Sequence, residues 1–323
     1  MQAIVQTEYG SAAVLRLAEV DQPEVGADQV LVQVRAAAVH AGDWHLMRGE
    51  PWLVRLIYGG LRRPKIKTLG CDVAGVVTQI GQNVTQFQPG DHVFGDLSEV
   101  GFGTFAEYVA APEKALVLKP ENVSFKSAAA VPVSAVTALQ GLRDVGQLQA
   151  GQRVLIIGAG GGVGSFAVQI AKLMGAEVTA MCSSSKLDLV RSLNPTHVID
   201  STHTNIAEIN QRYDLVLDTA AYRSVLSYRH IVEPGGRYVM VGGEIKRIFQ
   251  VMLLGPILSQ FAGYKLKLLT ANPNQSDLTV LSDWLQAGQV KPCIDQVYAL
   301  HEVPAAIDYV EQGKANGKVV ISL

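Results

Sequence analysis

The segment VLIIGAGGGVG, residues 154–164, constrains the fold of this chain more than any other stretch. Four apolar residues run into a loop with almost no side chains, and the amphipathic segment SFAVQIAKLMGA follows directly. The loop obeys the pattern A-x-G-x-x-G at Ala159, Gly161 and Gly164. This order predicts a βαβ unit whose backbone approaches an anion, such as a pyrophosphate, at the start of the helix. The alternative is a flexible glycine-rich turn without a ligand.

Residues 123–272 continue this alternation of strand and helix, with apolar runs such as EVTAMC, THVID and DLVLDTA separated by helix-like segments. IAEINQR (206–212) and YRSVLSYRHI (222–231) are among the predicted helices. Because strands that are apolar throughout need cover on both faces, we predict a doubly wound parallel sheet of the Rossmann type.

The flanking residues have a different pattern. Residues 1–122 contain short β-branched runs separated by turns, which predicts a mostly antiparallel β domain. Residues 273–323 return to that texture, and we expect them to complete the first domain. A length of 323 residues agrees with two domains, because one hydrophobic core rarely serves so long a chain.

Composition excludes several function classes. The formal net charge is −2 and no run of Lys and Arg could follow a phosphate backbone, so we expect no nucleic acid partner. Cys71, Cys182 and Cys293 lie far apart, which favours neither a disulfide framework nor a CxxC metal site. The N-terminus lacks a basic region followed by an apolar stretch. We therefore predict a cytoplasmic location.

The most apolar stretch is IFQVMLLGPILSQFAGY, residues 248–264. Gln250, Gly255 and Pro256 interrupt it, and it is too short to span a bilayer. A buried helix or the wall of an apolar pocket is favoured over a membrane contact.

The residues after EVTAMC indicate which dinucleotide would bind. NAD sites usually carry Asp or Glu at the end of the second strand, to bind the ribose hydroxyls. Here Ser183, Ser184, Ser185 and Lys186 follow, and the next acid is Asp188. Hydroxyls and an ammonium can bind a 2′-phosphate, so we predict NADP(H). The alternative is that Ser185 caps a helix and Lys186 is solvated.

Several motifs occur together in a recognisable order: AVHAGDWHLMRG, GCDVAGVVTQIG, GDHVFG, AAAVPVSAVTALQGL, the glycine loop and HVID. Over essentially the full chain this combination resembles the medium-chain dehydrogenase/reductases. It is most similar to their zinc-free quinone oxidoreductase branch, which includes the zeta-crystallins. Within that branch it resembles the chloroplast-envelope quinone reductase homologues and the mitochondrial reticulon-interacting reductases.

The resemblance implies a GroES-like catalytic domain, a Rossmann domain and NADPH in the cleft between them. It also implies hydride transfer to an activated alkene or a quinone. Relatives form homodimers through the edge of the Rossmann sheet, for which KLKLLT (265–270) is the candidate strand.

The resemblance also implies a set of cofactor-binding residues. They are Gly161, Gly162, Val163 and Gly164 at the pyrophosphate, Ser183 and Lys186 at the 2′-phosphate, Thr137, Val241, Gly242 and Gly243 at the nicotinamide half, and Asn316 and Lys318 from the catalytic domain. Gly242 and Gly243 could equally form a plain turn. Two positions depart from the family pattern: Ser201 replaces a frequent Tyr, and His40 replaces a frequent Asn.

His40 also stands where the alcohol dehydrogenase branch has a zinc-binding Cys. Cys71 stands at that branch's His, and the third ligand position falls near Val133, which cannot coordinate. Catalytic zinc needs three protein ligands, so we predict no metal and a packed Cys71 thiol.

Without a metal, other donors must stabilise the negative charge that develops on the substrate oxygen. His40, a backbone N–H or the Thr137 hydroxyl could do so, although His40 could also only shape the pocket. Tyr58 is a candidate proton donor, and Asp43 is a candidate base that more readily caps a helix. The apolar residues predicted to line the pocket with 248–262 are Trp52, Leu53, Leu56 and Ile57.

The main hypothesis is a zinc-free, NADPH-dependent reductase of apolar enones or quinones. A zinc-dependent alcohol dehydrogenase and a non-catalytic NADPH-binding protein that docks on a membrane or partner stay open.

Overall fold

A computed structural model describes residues 1–58, 60–243, 245–261 and 263–323. The chain divides into two compact units, which we call unit 1 (Met1–Val133 and Pro273–Leu323) and unit 2 (Ser134–Asn272). The tail 273–323 therefore lies in unit 1. The first border falls after Val133 rather than after residue 122, because the short helix over 125–129 packs against strands of unit 1. A helix-like sequence pattern by itself does not indicate which of the two hydrophobic cores the helix packs against.

The elements are numbered in chain order over the described residues. Strands β1 to β15 are Gln2–Val5, Arg16–Glu19, Gln29–Val39, Asp72–Ile80, His92–Asp96, Tyr108–Pro112, Leu116–Leu118, Arg153–Ile157, Glu177–Cys182, His197–Asp200, Tyr213–Asp218, Val232–Met240, Lys265–Leu268, Ile294–Ala299 and Lys318–Ser322. Helices α1 to α9 are Ala41–Arg48, Leu53–Ile57, Phe125–Ala129, Pro132–Gln140, Gly162–Leu173, Leu187–Ser192, Ile245–Phe261, Gln275–Gln286 and Val303–Glu311.

Unit 1 is built on a mostly antiparallel sheet. Among the described residues its strands follow the order β14-β15-β3-β4-β5-β7, and β6 pairs with β3. The tail strand β15 pairs with β3, where Val320 lies opposite Ala38. The inward side chains of these strands form one core with α1 and α9. The tail therefore completes this sheet beside the strand that leads into α1.

Unit 2 is built on a parallel sheet with the order β10-β9-β8-β11-β12-β13 in the described part of the chain. Its central strands are buried on both faces, because they are apolar at almost every position. The chain runs outward from β8 through β9 to β10 and then returns to β11 on the other side of β8. Ligands of such sheets bind where the order reverses, at the carboxyl ends of the strands. The predicted fold class, a Rossmann-type sheet plus a mostly antiparallel β domain, is confirmed.

Two predicted helices are wrong. The segments 206–212 and 222–231 contain only single turns, at Ile206–Glu208 and Val225–Tyr228. Asn205 and Ser224 cap these turns, and buried apolar side chains attach each turn to the core. A helix of two turns gains little from its own hydrogen bonds, so packing decides its length.

Helix α7 covers most of the apolar stretch 248–264. Val251 is buried, whereas Phe249, Met252 and Leu253 are 48%, 58% and 69% exposed. Ala262 and the side chains at 254, 256–258, 260 and 261 lie outside the described residues. None of the described helices combines the length and the apolar character that crossing a membrane requires. Whether the exposed apolar side chains line a pocket stays a prediction.

Candidate functional site

The glycine loop of unit 2 joins β8 to α5. Gly161 is the residue before the first turn of α5, and none of the described side chains caps that turn. The loop is attached to the end of β9, because the N–H groups of Gly158 and Ala159 both donate to the Met181 carbonyl, at 3.0 and 3.1 Å. Gly158 has φ +79°, which favours glycine. The start of α5 thus presents backbone donors that no side chain in the described part of the chain caps.

The loop glycines have different physical reasons. A Cβ on Gly164 would lie 2.1 Å from the Gly158 oxygen, so glycine is needed for α5 to pack on the loop. A Cβ on Gly160 would lie 2.6 Å from the Cβ of Lys186, because the lysine stem crosses the loop there. At Gly161 the nearest atom would be 3.4 Å away. Of Gly160, Gly161 and Gly164, Gly161 is the one whose added Cβ would meet no described atom closer than 3.4 Å, so packing among the described residues does not explain its missing side chain.

The residues predicted to bind the 2′-phosphate follow β9. The hydroxyls of Ser183 and Ser185 lie 3.2 Å apart. The Ser184 hydroxyl donates to Asp200 Oδ2 at 2.6 Å, and the Thr202 N–H donates to Asp200 Oδ1 at 2.9 Å. The hydrogen bond from Ser184, the largest cause, holds the pKa of Asp200 below its usual range. An ionised carboxylate thus lies among the predicted phosphate ligands.

Sequence reasoning missed Asp200. It ends β10, which pairs in parallel with β9 so that Asp200 lies opposite Cys182. The signal was present, because HVID and EVTAMC were both predicted as strands of one parallel sheet. Their neighbouring places in that sheet were not predicted, so the carboxylate could not be placed beside Ser184.

The predicted nicotinamide residues of unit 2 include the loop after β12. The Val241 N–H donates to the Asp218 carbonyl, which ends β11. A Cβ on Gly243 would lie 2.4 Å from the Ala221 Cβ, whereas a Cβ on Gly242 would meet no atom of the described residues within 4 Å. Gly243 therefore serves packing, and packing among the described residues does not require a glycine at 242. Thr137 is buried within α4.

Asp43 forms the start of α1 in unit 1. Its Oδ2 accepts from the His40 N–H at 2.9 Å, in a capping box, and its Oδ1 accepts from the Gly70 N–H at 3.1 Å. Asp43 is fully buried, and burial raises the pKa of its carboxyl. Both oxygens thus bind backbone groups, which agrees with a capping role and disagrees with a role as catalytic base.

His40 has a defined hydrogen-bond pattern. Its Nδ1 accepts from the Gly42 N–H at 3.0 Å, and its Nε2 lies 2.7 Å from Cys71 Sγ. An accepting Nδ1 assigns the proton of the neutral ring to Nε2, which then donates to the sulfur. Cys71 is fully buried, and burial raises the pKa of its thiol well above the usual value. The Nε2 atom of His40 therefore faces a thiol that stays protonated at neutral pH.

Buried charges lie next to this pair. Lys318 Nζ lies 3.1 Å from Asp72 Oδ2, and both side chains are almost inaccessible. Asp72 Oδ1 accepts from the Val133 N–H at 2.8 Å. Asp72 lies opposite Asp96 in the pairing of β4 with β5. Burial first, and then the charge of Asp72, raise the pKa of Asp96 to about 6.

The two tail residues predicted to contact the cofactor differ in their surroundings. The Lys318 ammonium contacts Asp72 inside unit 1, so a further contact with a cofactor stays a prediction. The Asn316 N–H donates to Asp295 Oδ2 at 2.9 Å. Its side-chain Oδ1 is buried and accepts no hydrogen bond from the described residues. Such an atom usually has an unseen partner.

Tyr58 follows α2 and is 41% exposed. Its ring meets Phe102 edge-on, with 5.5 Å between the centroids. Burial, followed by the charges of Glu99, Cys71 and Asp96, raises its pKa. The phenol is therefore protonated at neutral pH. The nearby Trp52, Leu56 and Ile57 are exposed, so the apolar pocket stays a prediction.

A cavity of about 610 Å³ lies elsewhere in unit 1, between β7 and α8. Its lining contains none of the predicted site residues that the structure describes.

Three family models match parts of the chain. They are the alcohol dehydrogenase GroES-like domain at residues 26–121, the alanine dehydrogenase/PNT C-terminal domain at 130–224 and the zinc-binding dehydrogenase at 193–321. The first lies in unit 1, the second mostly in unit 2, and the third continues into the tail.

Individual relatives extend over nearly the whole chain. It is 35% identical over 332 residues to the 2-methylene-furan-3-one reductase of Solanum lycopersicum, covering 99% of this chain and 79% of the relative. It is 34% identical to the chloroplastic NADPH-dependent alkenal/one oxidoreductase of Arabidopsis thaliana, with the same coverage. The quinone oxidoreductase structure from Coxiella burnetii matches with TM-score 0.90 and 26% identity, over 100% of this chain and 99% of that chain. The resemblance to the medium-chain dehydrogenase/reductases is confirmed, and the chain belongs to this family.

Proposed function

We propose that this protein is a zinc-free, NADPH-dependent reductase that transfers hydride to an apolar α,β-unsaturated carbonyl compound or a quinone. The observation that carries the proposal is the start of α5, where an uncapped helix turn and the clear space at Gly161 lie beside Lys186. The names of the relatives, a 2-methylene-furan-3-one reductase and an NADPH-dependent alkenal/one oxidoreductase, support the same class of reaction.

The cofactor contacts follow from these residues. The N–H groups of the first turn of α5 bind the pyrophosphate. The hydrogen bond from the Ala159 N–H holds the preceding loop against the end of β9. Lys186 and Ser183 bind the 2′-phosphate. Ser184 contributes less, because its hydroxyl proton is already donated to Asp200. The remaining residues proposed to contact the cofactor are Gly162, Val163, Gly164, Thr137, Val241, Gly242, Gly243, Asn316 and Lys318.

His40 is the proposed donor to the substrate oxygen. A bound nicotinamide would supply the hydride, and negative charge would then develop on the carbonyl oxygen of the substrate. A thiol sulfur is a weak hydrogen-bond acceptor. The hydrogen bond donated by the Nε2–H of His40 therefore becomes stronger when its acceptor is an oxyanion instead of the Cys71 sulfur. Because Nδ1 accepts from the Gly42 N–H, the ring keeps this proton on Nε2. Thr137 is the alternative donor, and Tyr58, a protonated phenol, is the proposed proton donor.

The donor set of unit 1 does not fit catalytic zinc. His40 and Cys71 offer two ligand atoms, and Val133, at the third position, has none. The oxygens of Asp72 bind Lys318 and the Val133 N–H. The described residues contain no group of three His, Cys, Asp or Glu side chains suited to a metal. Because catalytic zinc needs three protein ligands, no step of the proposed reaction uses a metal.

We further propose a homodimer. Among the described residues β13 is an edge of the parallel sheet, with Lys265 and Lys267 exposed along it. An edge strand can pair with a second copy of itself. Light scattering should give twice the mass of one chain.

The decisive experiment is stopped-flow oxidation of NADPH by the purified protein against enones, oxylipins and quinones. We expect turnover with apolar members of the panel and no zinc by metal analysis. Stoichiometric zinc with alcohol oxidation would instead establish the alcohol dehydrogenase. NADPH binding without turnover on any acceptor, together with co-sedimentation with lipid vesicles, would establish the non-catalytic alternative.

His40→Ala tests the donor. Because a donor to a developing oxyanion contributes about 10²–10³ in kcat, the variant should lose a factor of that order while its NADPH affinity stays unchanged. His301→Ala, at an exposed histidine of the same unit, is the matched control. An unchanged kcat in His40→Ala would leave His40 only a structural role.

A further inference from the structure

Asp200 brings a carboxylate to the place where the second strand of the Rossmann sheet lacks one. Because β9 and β10 are parallel neighbours, their carboxyl ends meet at one edge, with Asp200 opposite Cys182. The chain after β9 turns beneath this carboxylate, and the Ser184 hydroxyl donates to it at 2.6 Å. The acid that NAD sites carry at the end of the second strand is therefore supplied by the third.

The carboxylate retains the capacity to accept further hydrogen bonds. Its two oxygens have about four acceptor positions. Among the described residues the Ser184 hydroxyl donates to one oxygen and the Thr202 N–H to the other, and the Thr202 side chain also hydrogen-bonds to this carboxylate, so about one acceptor position is left. A ribose hydroxyl could therefore donate to Asp200, as it does to the acid of an NAD site, whereas a 2′-phosphate could not.

The charges of Asp200 and Lys186 have opposite effects on the end of β9. Burial, followed by the charge of Asp200, raises the pKa of the Cys182 thiol to about 11, and the charge of Lys186 opposes this rise. The stem of Lys186 lies against Gly160, so its position is tied to the glycine loop. A phosphate of charge near −2 at this point would be attracted by Lys186 and repelled by Asp200.

We propose that Asp200 is a specificity-determining residue that limits the preference for NADPH over NADH and lets this site accept both nucleotides. The proposal rests on the proposed function, since it assumes that the nucleotide binds at the glycine loop. The proposal goes beyond that function, because the sequence around β9 contains no acid at the strand end and by itself predicts binding of NADPH.

The test is calorimetric titration of NADPH and NADH into wild-type protein and Asp200→Asn. Asparagine retains an acceptor for the Thr202 N–H but has no charge. We expect NADPH to bind about five- to tenfold more tightly to the variant, as removal of one like charge near a phosphate implies, and NADH to bind no more tightly. Asp188→Asn, at a fully exposed acid nearby, is the matched control and should leave the NADPH to NADH ratio unchanged.

The salt dependence of binding distinguishes an effect of charge repulsion by Asp200 from an effect of a changed loop structure. The difference between wild type and Asp200→Asn should shrink as ionic strength rises from about 0.05 to about 0.5 M, because screening shortens the reach of the carboxylate. Asp200→Ser, a second uncharged variant, should move the ratio in the same direction.

The outcomes are distinguishable. Wild-type protein that binds neither nucleotide would refute the proposed function itself. Wild-type protein that binds NADPH, with a ratio that neither uncharged variant changes, would overturn the role of Asp200 alone.

Discussion

The side chain of Lys186 lies against Gly160, where an added Cβ would come within 2.6 Å of the lysine Cβ. A long, flexible side chain is thereby positioned by a residue that has none. The sequence predicted both the glycine loop and the lysine, but as separate features. Their contact shows that the loop has a second role, since it directs the proposed phosphate ligand as well as presenting backbone donors.

Lys186→Ala should weaken NADPH binding about tenfold or more, because hydrogen bonds to charged groups contribute ~1.5–3 kcal/mol. NADH lacks the 2′-phosphate, so its affinity should change far less. Titration calorimetry with both nucleotides measures the difference. Lys172→Ala, which removes an exposed lysine of α5, is the control. Equal losses for NADPH and NADH would refute the phosphate assignment.

At the scale of elements, the strand–loop–helix from β8 to α5 is the segment in which local sequence and final structure agree best. The apolar run forms a central strand, the glycines form the turn, and the periodic residues of α5 are buried against the sheet. The two short segments 206–212 and 222–231 show the opposite behaviour. Their pattern predicts helices, but burial and capping limit each to a single turn.

Two glycines of this element should respond differently to alanine. In Gly164→Ala the new Cβ meets the Gly158 oxygen at 2.1 Å, so overpacking should destabilise the protein by about 1–3 kcal/mol. In Gly161→Ala the nearest atom is 3.4 Å away, so the thermal midpoint should change little while NADPH binding is lost. Thermal unfolding and titration of both variants separate folding from binding. Wild-type NADPH affinity in Gly161→Ala would contradict the proposed binding site.

At the scale of the whole molecule, distant parts of the sequence meet in the polar cluster of unit 1. Lys318 comes from the tail, Asp72 begins β4, and Asp96 ends β5. Burying two acids in a cluster with one ammonium has a free-energy cost for folding that depends on pH. Protonation of Asp96, whose pKa is raised to about 6, lowers this cost.

Asp96→Asn should therefore stabilise the protein above neutral pH. A raised pKa means that the folded state binds this proton more tightly than the unfolded chain does, so wild-type stability falls as pH rises from about 4 through about 6. Asparagine does not ionise and avoids this fall, a gain on the order of 2–3 kcal/mol at pH 8 that vanishes near pH 4. Urea unfolding at several pH values measures it. The control is Asp21→Asn, at an exposed acid of the same unit. A constant difference between wild type and Asp96→Asn at every pH would refute the assignment.

The sequence by itself determined the features that depend on neighbouring residues. These are the parallel sheet, from strands apolar on both faces, the turn before α5, from glycine spacing, and the cap of α1, from Asp43 three residues after His40. The family followed from the order of such motifs along the chain.

Only the tertiary structure decided which side chains meet. It placed Asp200 on Ser184, His40 on Cys71 and Lys318 on Asp72. Each pair joins residues far apart in the chain, and strand pairing brings them within hydrogen-bond distance. Spacing along a sequence records the period of a helix or strand but not the order of strands in a sheet, and that order determines which charges face the proposed nucleotide.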